Sequence, residues 1–327
     1  MNKELETVCQ LFIRNRDAVK EASSWGNAYI YPVCAAIFTE KGVEADVEKL
    51  RKCSTILKEK TGVFSNFRGT AKLAMLSMMA TEENPEERLE NALKVYGALK
   101  EHFSSSQYLP LTSMVIADLV EPEEYSRVAS RTRKIYDRMK GEHPFLTSGE
   151  DSVFAALLGL SDLSEEQIVL ETERCYEILK QEFFSGNAVQ SLSHVLALCD
   201  GEAKKKCRKT LELYEQLRNR GLKYGREYEL ATLGVLAMLP VEREQLLSDI
   251  ADADSFLEGQ KGYGVFGIGR KQRLMHAGML VAGCYVENNT GMMNSAAISG
   301  TISLIVAQQA AMCAAVAATS AAAASSN

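Results

Sequence analysis

From residue 164 to residue 183, the positions Val169, Thr172, Tyr176, Leu179 and Phe183 recur at steps of three, four, three and four. That spacing puts all five on one face of a helix. Glu173, Arg174, Glu177 and Lys180 fill the opposite, solvated side. Ser164 stands three residues before Gln167, a capping box in which each side chain satisfies a backbone N–H of the other. The pattern predicts one long amphipathic helix.

The chain repeats this helix. Eighty residues earlier the same register reads Leu89, Ala92, Tyr96, Leu99 and Phe103, opened by Asn84-Pro85 as cap and first-turn proline. Forty earlier it reads Ala129, Thr132, Tyr136, Met139 and His143, with Pro122 near the start. Thirty-eight later it reads Cys207, Thr210, Tyr214, Leu217 and Gly221. Weaker copies flank these, at Leu50, Cys53, Leu57 and Phe64 and at Ile250 and Phe256. A shorter apolar helix is expected before each long one, over 70–80, 111–119, 152–160, 190–198 and 228–239. The small residues Ser77, Ala117, Gly159, Ala197 and Ala237 recur there and would let two helices approach closely. Residues 3–21 read as a first, capping helix.

The predicted fold class is therefore all-α: stacked antiparallel helical hairpins of about 40 residues, an α-solenoid or α/α superhelix in the length range of HEAT- and armadillo-type repeats. A single hairpin of that size cannot bury its apolar face alone, so neighbours must stack. Residues 1–287 form the expected helical-repeat domain, and 288–327 an Ala-rich C-terminal helix and tail.

The tail is set apart by charge. From Asn288 to Asn327 no side chain is charged, in a chain that is 24% charged overall. Ile298, Ile302, Ile305, Gln309, Met312 and Val316 form a coiled-coil-like seam, with Ala307, Ala311 and Ala315 on another face. Three destinations fit: back along the same chain, onto the tails of other copies as a homo-oligomer, or into a membrane through residues 296–318. Gln308 and Gln309 and the missing basic and aromatic flanks oppose the membrane.

Net charge of −6 and diluted basic clusters such as Lys204-Lys205-Lys206 argue against a nucleic-acid partner. Eight cysteines are scattered without C-x-x-C spacing, which supports neither a zinc site nor a redox motif. The first residues lack an apolar signal core, so a cytoplasmic, reduced protein is expected. Trp25 is the only tryptophan, which counts against a toroid that stacks sugar rings.

Candidate chemistry concentrates in the connections. The turn from short to long helix is tight and acidic, as in Glu121-Pro122-Glu123-Glu124, while the return loops are longer and richer in Gly, Ser and aromatics. Loops on a rigid scaffold are where binding residues gather. Two are alike: Gly62-Val63-Phe64-Ser65-Asn66-Phe67-Arg68 and Gly264-Val265-Phe266-Gly267-Ile268-Gly269-Arg270. Each sets an Arg at a helix start, where free N–H groups and the dipole favour anions. Arg68, Arg226, Arg270 and Lys271 are thus the candidate ligand-binding cations, with Asp151 or His276 as a proton carrier; the alternative is that the arginines are solvated and the Gly-Val-Phe runs only pack hairpin ends. Gly262-x-Gly264-x-x-Gly267 matches a dinucleotide fingerprint, but that reading requires a preceding strand and 250–257 reads as helix. Asp249, Asp252 and Asp254 lack the spacing of a calcium loop and read as a solvated helix end. The four histidines show no metal spacing. No catalytic residue, metal site or cofactor is expected.

With the repeat, the Gly62–Arg68 loop and the run Ala307-Gln-Gln-Ala-Ala-Met312 in view, the chain resembles a bacterial family catalogued only as a domain of unknown function. The resemblance implies a bacterial cytosolic protein and adds no activity. The leading functional expectation is a non-enzymatic interaction or scaffold protein that holds a protein or peptide partner on its longer-loop edge. The alternatives are a small anionic-ligand binder or enzyme using Arg68 and Arg270, and a tail that carries self-assembly or membrane association.

Overall fold

The computed structural model describes residues 1–23, 28–63, 65–264, 267–289 and 311–319, with side chains to residue 286 in the fourth of these stretches. Trp25, Phe64, Val265, Phe266 and most of the tail seam lie outside the described residues. Among the described residues every regular element is helical, and β-type pairing is confined to an isolated bridge between Tyr263 and Ile268. A capping-length helix α1 (Lys3–Ala22) opens the chain. The short apolar helices are α2 (Ile30–Glu40), α4 (Lys72–Ala80), α6 (Leu109–Leu119), α8 (Ser152–Gly159), α10 (Gly186–Ala197) and α12 (Glu229–Met238). The amphipathic ones are α3 (Val47–Lys60), α5 (Pro85–Lys100), α7 (Tyr125–Glu142), α9 (Glu165–Leu179), α11 (Ala203–Asn219) and α13 (Arg243–Glu258), and α14 (Arg270–Asn289) follows.

Local sequence accounts for several boundaries. Ser164 and Gln167 form the expected capping box before α9, the backbone N–H of Ser164 donating to Gln167 Oε1 at 2.8 Å and that of Gln167 to Ser164 Oγ at 3.2 Å. Asn84 accepts from the Glu87 N–H, with Pro85 in the first turn of α5. Pro122 begins a 3-10 turn, Pro122–Glu124, that leads into α7. Asp46 caps α3 in the same manner as Asn84, accepting from Glu48 and Lys49.

The buried face of the long helices is rotated one residue from the predicted stripe. Its centre runs through Ile168, Thr172, Cys175 and Leu179 in α9, through Val128, Thr132, Ile135 and Met139 in α7, and through Ala92, Val95 and Leu99 in α5. Tyr96, Tyr136 and Tyr176 are half-buried at its rim. The threonines within the face return their hydroxyls to the helix: Thr132 donates to Val128 O at 2.7 Å and Thr210 to Lys206 O at 2.9 Å. A hydroxyl buried there would otherwise be an unpaired donor.

The chain divides into two compact units. The first comprises Arg14–Val169 with Val316–Asn327. In it α5 packs most extensively on α6 and α7 on α8, so each long helix finds its main partner in the short helix that follows it. The long helices α3, α5 and α7 are also neighbours in order, as are the short helices α4, α6 and α8. Val95, Leu99, Leu109, Ile116, Val128 and Ala156 meet in one core cluster. Gly159 is one of the recurring small residues; a Cβ there would stand 3.5 Å from Ile135 Cδ1, which shows how closely α8 approaches α7. Asn15 of α1 clamps the α2–α3 connection: its amide donates to Thr39 Oγ1 and Val43 O, and its carbonyl accepts from Ala45 N–H at 2.8 Å.

The second unit comprises Met1–Ile13 with Leu170–Ala315. Here α10 packs on α12, α12 on α11 and α14, and α13 on α14. Within the tail, residues 311–319 are helical and buried but for one half-buried position, Met312 and Val316 of the predicted seam included. That stretch is covered by the chain itself. Among the described residues no helix is long and apolar enough to cross a membrane.

Candidate functional site

The tyrosine register that marked the repeat in the sequence builds a recurring joint. After α3, α5 and α9 a Phe meets the register Tyr of the next long helix. In the first unit Phe67 meets Tyr96 edge-on with centroids 5.2 Å apart, and Phe103 meets Tyr136 at 5.4 Å. In the second, Phe183 meets Tyr214 at 5.2 Å. Edge-to-face geometry sets a positive ring edge against a negative face. Cations gather on these rings: Arg133 lies over Phe103 at 5.1 Å and Tyr136 at 5.7 Å, and Arg226 over Tyr214 at 5.3 Å. The predicted stripe residue Phe64 lies outside the described residues; the aromatic partner of Tyr96 is Phe67.

The loops beside these joints carry unburied aromatics. Phe145, after α7, is 99% exposed, and Phe184, after α9, is 96% exposed. Both stand within two residues of the last stripe position, His143 and Phe183.

The sequence-predicted residues fall into separate settings. In the first unit, Arg68 ends a 3-10 turn, Asn66–Arg68, and its Nη2 donates to Lys58 O and Thr61 O, both at 2.5 Å. It thereby caps the C-terminal carbonyls of α3, where a cation is favoured by the dipole. Asp151 is 4% exposed and accepts from Ser148 N–H at 2.8 Å in a second capping box. Burial pushes its carboxyl up to about 7; the Ser148 N–H opposes the rise, Glu150 adds to it and Lys140 opposes it.

In the second unit, Arg226, Arg270 and Lys271 come to one loop, residues 221–229. Arg226 donates from Nε to Tyr214 OH at 2.6 Å. Arg270, the first residue of α14, donates from Nη2 to Gly221 O at 2.7 Å. Lys271 bears on the buried carboxylate of Glu229, whose pKa burial raises and Lys271 helps to hold down. His276, less than two turns further along α14, is buried at 2% exposure, with Tyr263 OH 3.0 Å from Nδ1. Tyr263 is held by a tight loop in which a Cβ on Gly267 would stand 2.2 Å from Gly262 O.

The aspartates read as a solvated helix end are largely interior. Asp249 and Asp254 are 1% and 5% exposed; Asp249 accepts from Tyr285 OH and Gln245, and Asp254 pairs with Arg273. Their partners sit on other turns or on α14, which is why spacing along α13 alone did not show them. Among the described residues no group of three His, Cys, Asp or Glu side chains is placed to hold a metal ion.

The sequence also gave no sign of a polar cleft of about 710 Å³ in the first unit, at the tight-turn end, lined by Lys41, Glu82, Asn84, Arg88 and Asp118 among others. Arg88, 6% exposed, pairs with Glu82 at 2.6 Å and with Asp118. Burial lifts Asp118 to about 6 against the pull of Arg88. Burial also pushes Glu82 up, but Lys41 and Arg88 outweigh it and hold Glu82 below its ordinary value. The available signal was an arginine one residue before the stripe position Leu89, on the face that must be buried.

Residues 15–310 match the family model described as "Protein of unknown function (DUF4003)", and the chain belongs to that family. It is similar to the uncharacterised protein YeaA of Bacillus subtilis (strain 168), with 23% identity over 202 residues, 60% of this chain. The match spans 61% of that relative's length. No solved structure matches the chain.

Proposed function

We propose that this member of a family of unknown function is a non-enzymatic interaction protein, built as a stacked array of helical hairpins over residues 1–287 with 288–327 as an appended segment. The recurring Phe–Tyr joint supports the stacking: after α3, α5 and α9 a Phe packs on the Tyr of the next long helix. The neighbour order of α3, α5 and α7, and of α4, α6 and α8, fits the same scheme. Eight cysteines, all buried and none bridged, suit a reducing compartment such as the cytoplasm.

The observation that carries the interaction reading is the exposure of Phe145 and Phe184 on the longer loops. Each forgoes roughly 1.5–3 kcal/mol of burial. A partner that covers these rings recovers it. A photo-crosslinking side chain at Phe145 or Phe184, with Glu123 on a tight turn as control, tests the reading in expressing cells. Discrete adducts from the two loop positions and none from Glu123 are expected; no adduct, or the same adducts from all three, would sink it.

A further inference from the structure

We propose that the loop 221–229, with the end of α11 and the start of α14, docks an extended acidic polypeptide segment. This rests on the reading of the chain as a partner-binding protein and names the partner's chemistry at one of its loops.

The first support is local charge. The chain carries a net −6, yet residues 216–226 hold Arg218, Arg220, Lys223 and Arg226 and no acidic residue. Arg218 and Arg220 are neutralised by Glu215 and Glu244. Lys223, Arg226, Arg270 and Lys271 are exposed, and among the described residues none of the four lies within salt-bridge distance of a carboxylate. Elsewhere some exposed cations are matched, as Lys60 is by Glu86 and Glu90 and Arg133 by Asp137, and unmatched ones such as Lys94 and Lys209 have an acidic residue within one helical turn, Glu90 and Glu212. Exposed Glu227 and buried Glu229 balance Lys223 and Arg226 within the loop itself, and Arg270 and Lys271 at the start of α14 make the site net positive.

The second support is how the arginines are held. Arg226 and Arg270 are anchored on neutral oxygens, Tyr214 OH and Gly221 O. Each keeps its full charge and most of its five N–H donors while its position is fixed. Pre-set guanidinium forks are suited to carboxylates, which they bind through paired hydrogen bonds.

The third is spacing. Arg226 and Arg270 are fixed at separate anchors seven residues apart in the chain, Tyr214 within α11 and Gly221 two residues past its end. A ligand that carries several carboxylates along an extended chain, rising about 3.3 Å per residue, can offer one to each fork.

The experiment uses the full chain and fluorescence anisotropy. The probe is a labelled peptide with glutamate at every third position between glycine and serine; a glutamine version is the control. Binding of the glutamate peptide alone is expected, falling with added salt. Lys223→Gln combined with Lys271→Gln removes two cations for which no hydrogen bond holds the fold, and is expected to weaken binding about tenfold. Arg226→Lys with Arg270→Lys keeps the charge and loses the forks, and is expected to weaken it as well. Equal binding by the Gln variant, equal binding of the glutamine peptide, or full displacement by inorganic phosphate or an oligonucleotide overturns the proposal. Crosslinks from Phe145 and Phe184 without peptide binding would remove the acidic segment and keep the partner reading; loss of both would remove both.

Discussion

Arg273 and Asp254 clasp each other inside the second unit: Nε donates to one carboxylate oxygen at 2.7 Å and Nη2 to the other at 3.0 Å. The side chains keep only 4% and 7% exposure. Breaking a buried pair costs about 3–5 kcal/mol when the remaining charge is left uncompensated, and here Glu258, 2.8 Å from Arg273 Nη1, still offsets part of it. Asp254→Ala is therefore expected to lower stability by about 3 kcal/mol in urea unfolding, the low end of that range. Replacing both partners, Arg273→Met with Asp254→Leu, should cost less than the single change. A single-variant loss below about 1 kcal/mol would mean the pair behaves as a surface contact.

Asn15 offers a neutral counterpart in the first unit. Its amide group serves Thr39, Val43 and Ala45 at once. Asn15→Ala strands a buried N–H and a carbonyl, each worth about 1–3 kcal/mol. Unfolding should lose at least about 2 kcal/mol, and amide exchange at Ala45 should accelerate more than in α7. Unchanged protection at Ala45 would refute the clamp.

Asp151 makes a pH prediction of definite sign. Its carboxyl is lifted from 3.8 to about 7 in the folded protein. Between those values the folded chain holds a proton that the unfolded chain has released, so stability falls as pH rises through that window. Asp151→Asn stays neutral throughout and its carbonyl still accepts from Ser148. The variant should gain on the parent protein between about pH 4 and about pH 7 in parallel urea titrations. A constant difference across that range would show that Asp151 titrates normally.

The Phe103–Tyr136 joint is open to a double-mutant cycle. Phe103→Leu and Tyr136→Leu each remove one ring and leave an apolar side chain. Their coupling should be about 0.5–1.5 kcal/mol, whereas Phe103→Leu paired with a change at Ile135, on the neighbouring buried face, should couple less.

What could be read along the chain was whatever repeats at helical spacing or closes within four residues. The Ser164 and Asn84 caps are of this kind, and so are the long amphipathic helices. The tyrosines were found at the correct register but assigned to the centre of the face; they are large, and a helix face one residue over, through Cys175 and Ile135, packs the core while the rings take the rim. The segment of α2 gave no periodic signal because nearly all of it is buried, which leaves no polar side to mark a face. The candidate site was legible only as residue types. Arg270 opens α14 as its Gly-rich loop predicts, whereas Arg68 ends a 3-10 turn and starts no helix; what each guanidinium holds is a backbone carbonyl at the end of another helix, α3 or α11, and carbonyls leave no trace in a sequence. Asp249 found Tyr285, and Arg88 found Asp118, across gaps of tens of residues that no local pattern encodes.

The buried thiols are spread over α1, α2, α3, α9, α11 and α14, with Cys199 just after α10 and Cys313 in the stretch 311–319. None is presented to solvent, so a thiol reagent can reach one only when its own helix lifts away. The protein thereby carries its own set of clocks. The rate at which each cysteine is alkylated in the native state reports the opening of one segment, and mass spectrometry of the labelled peptides would rank the helices by how often they come loose.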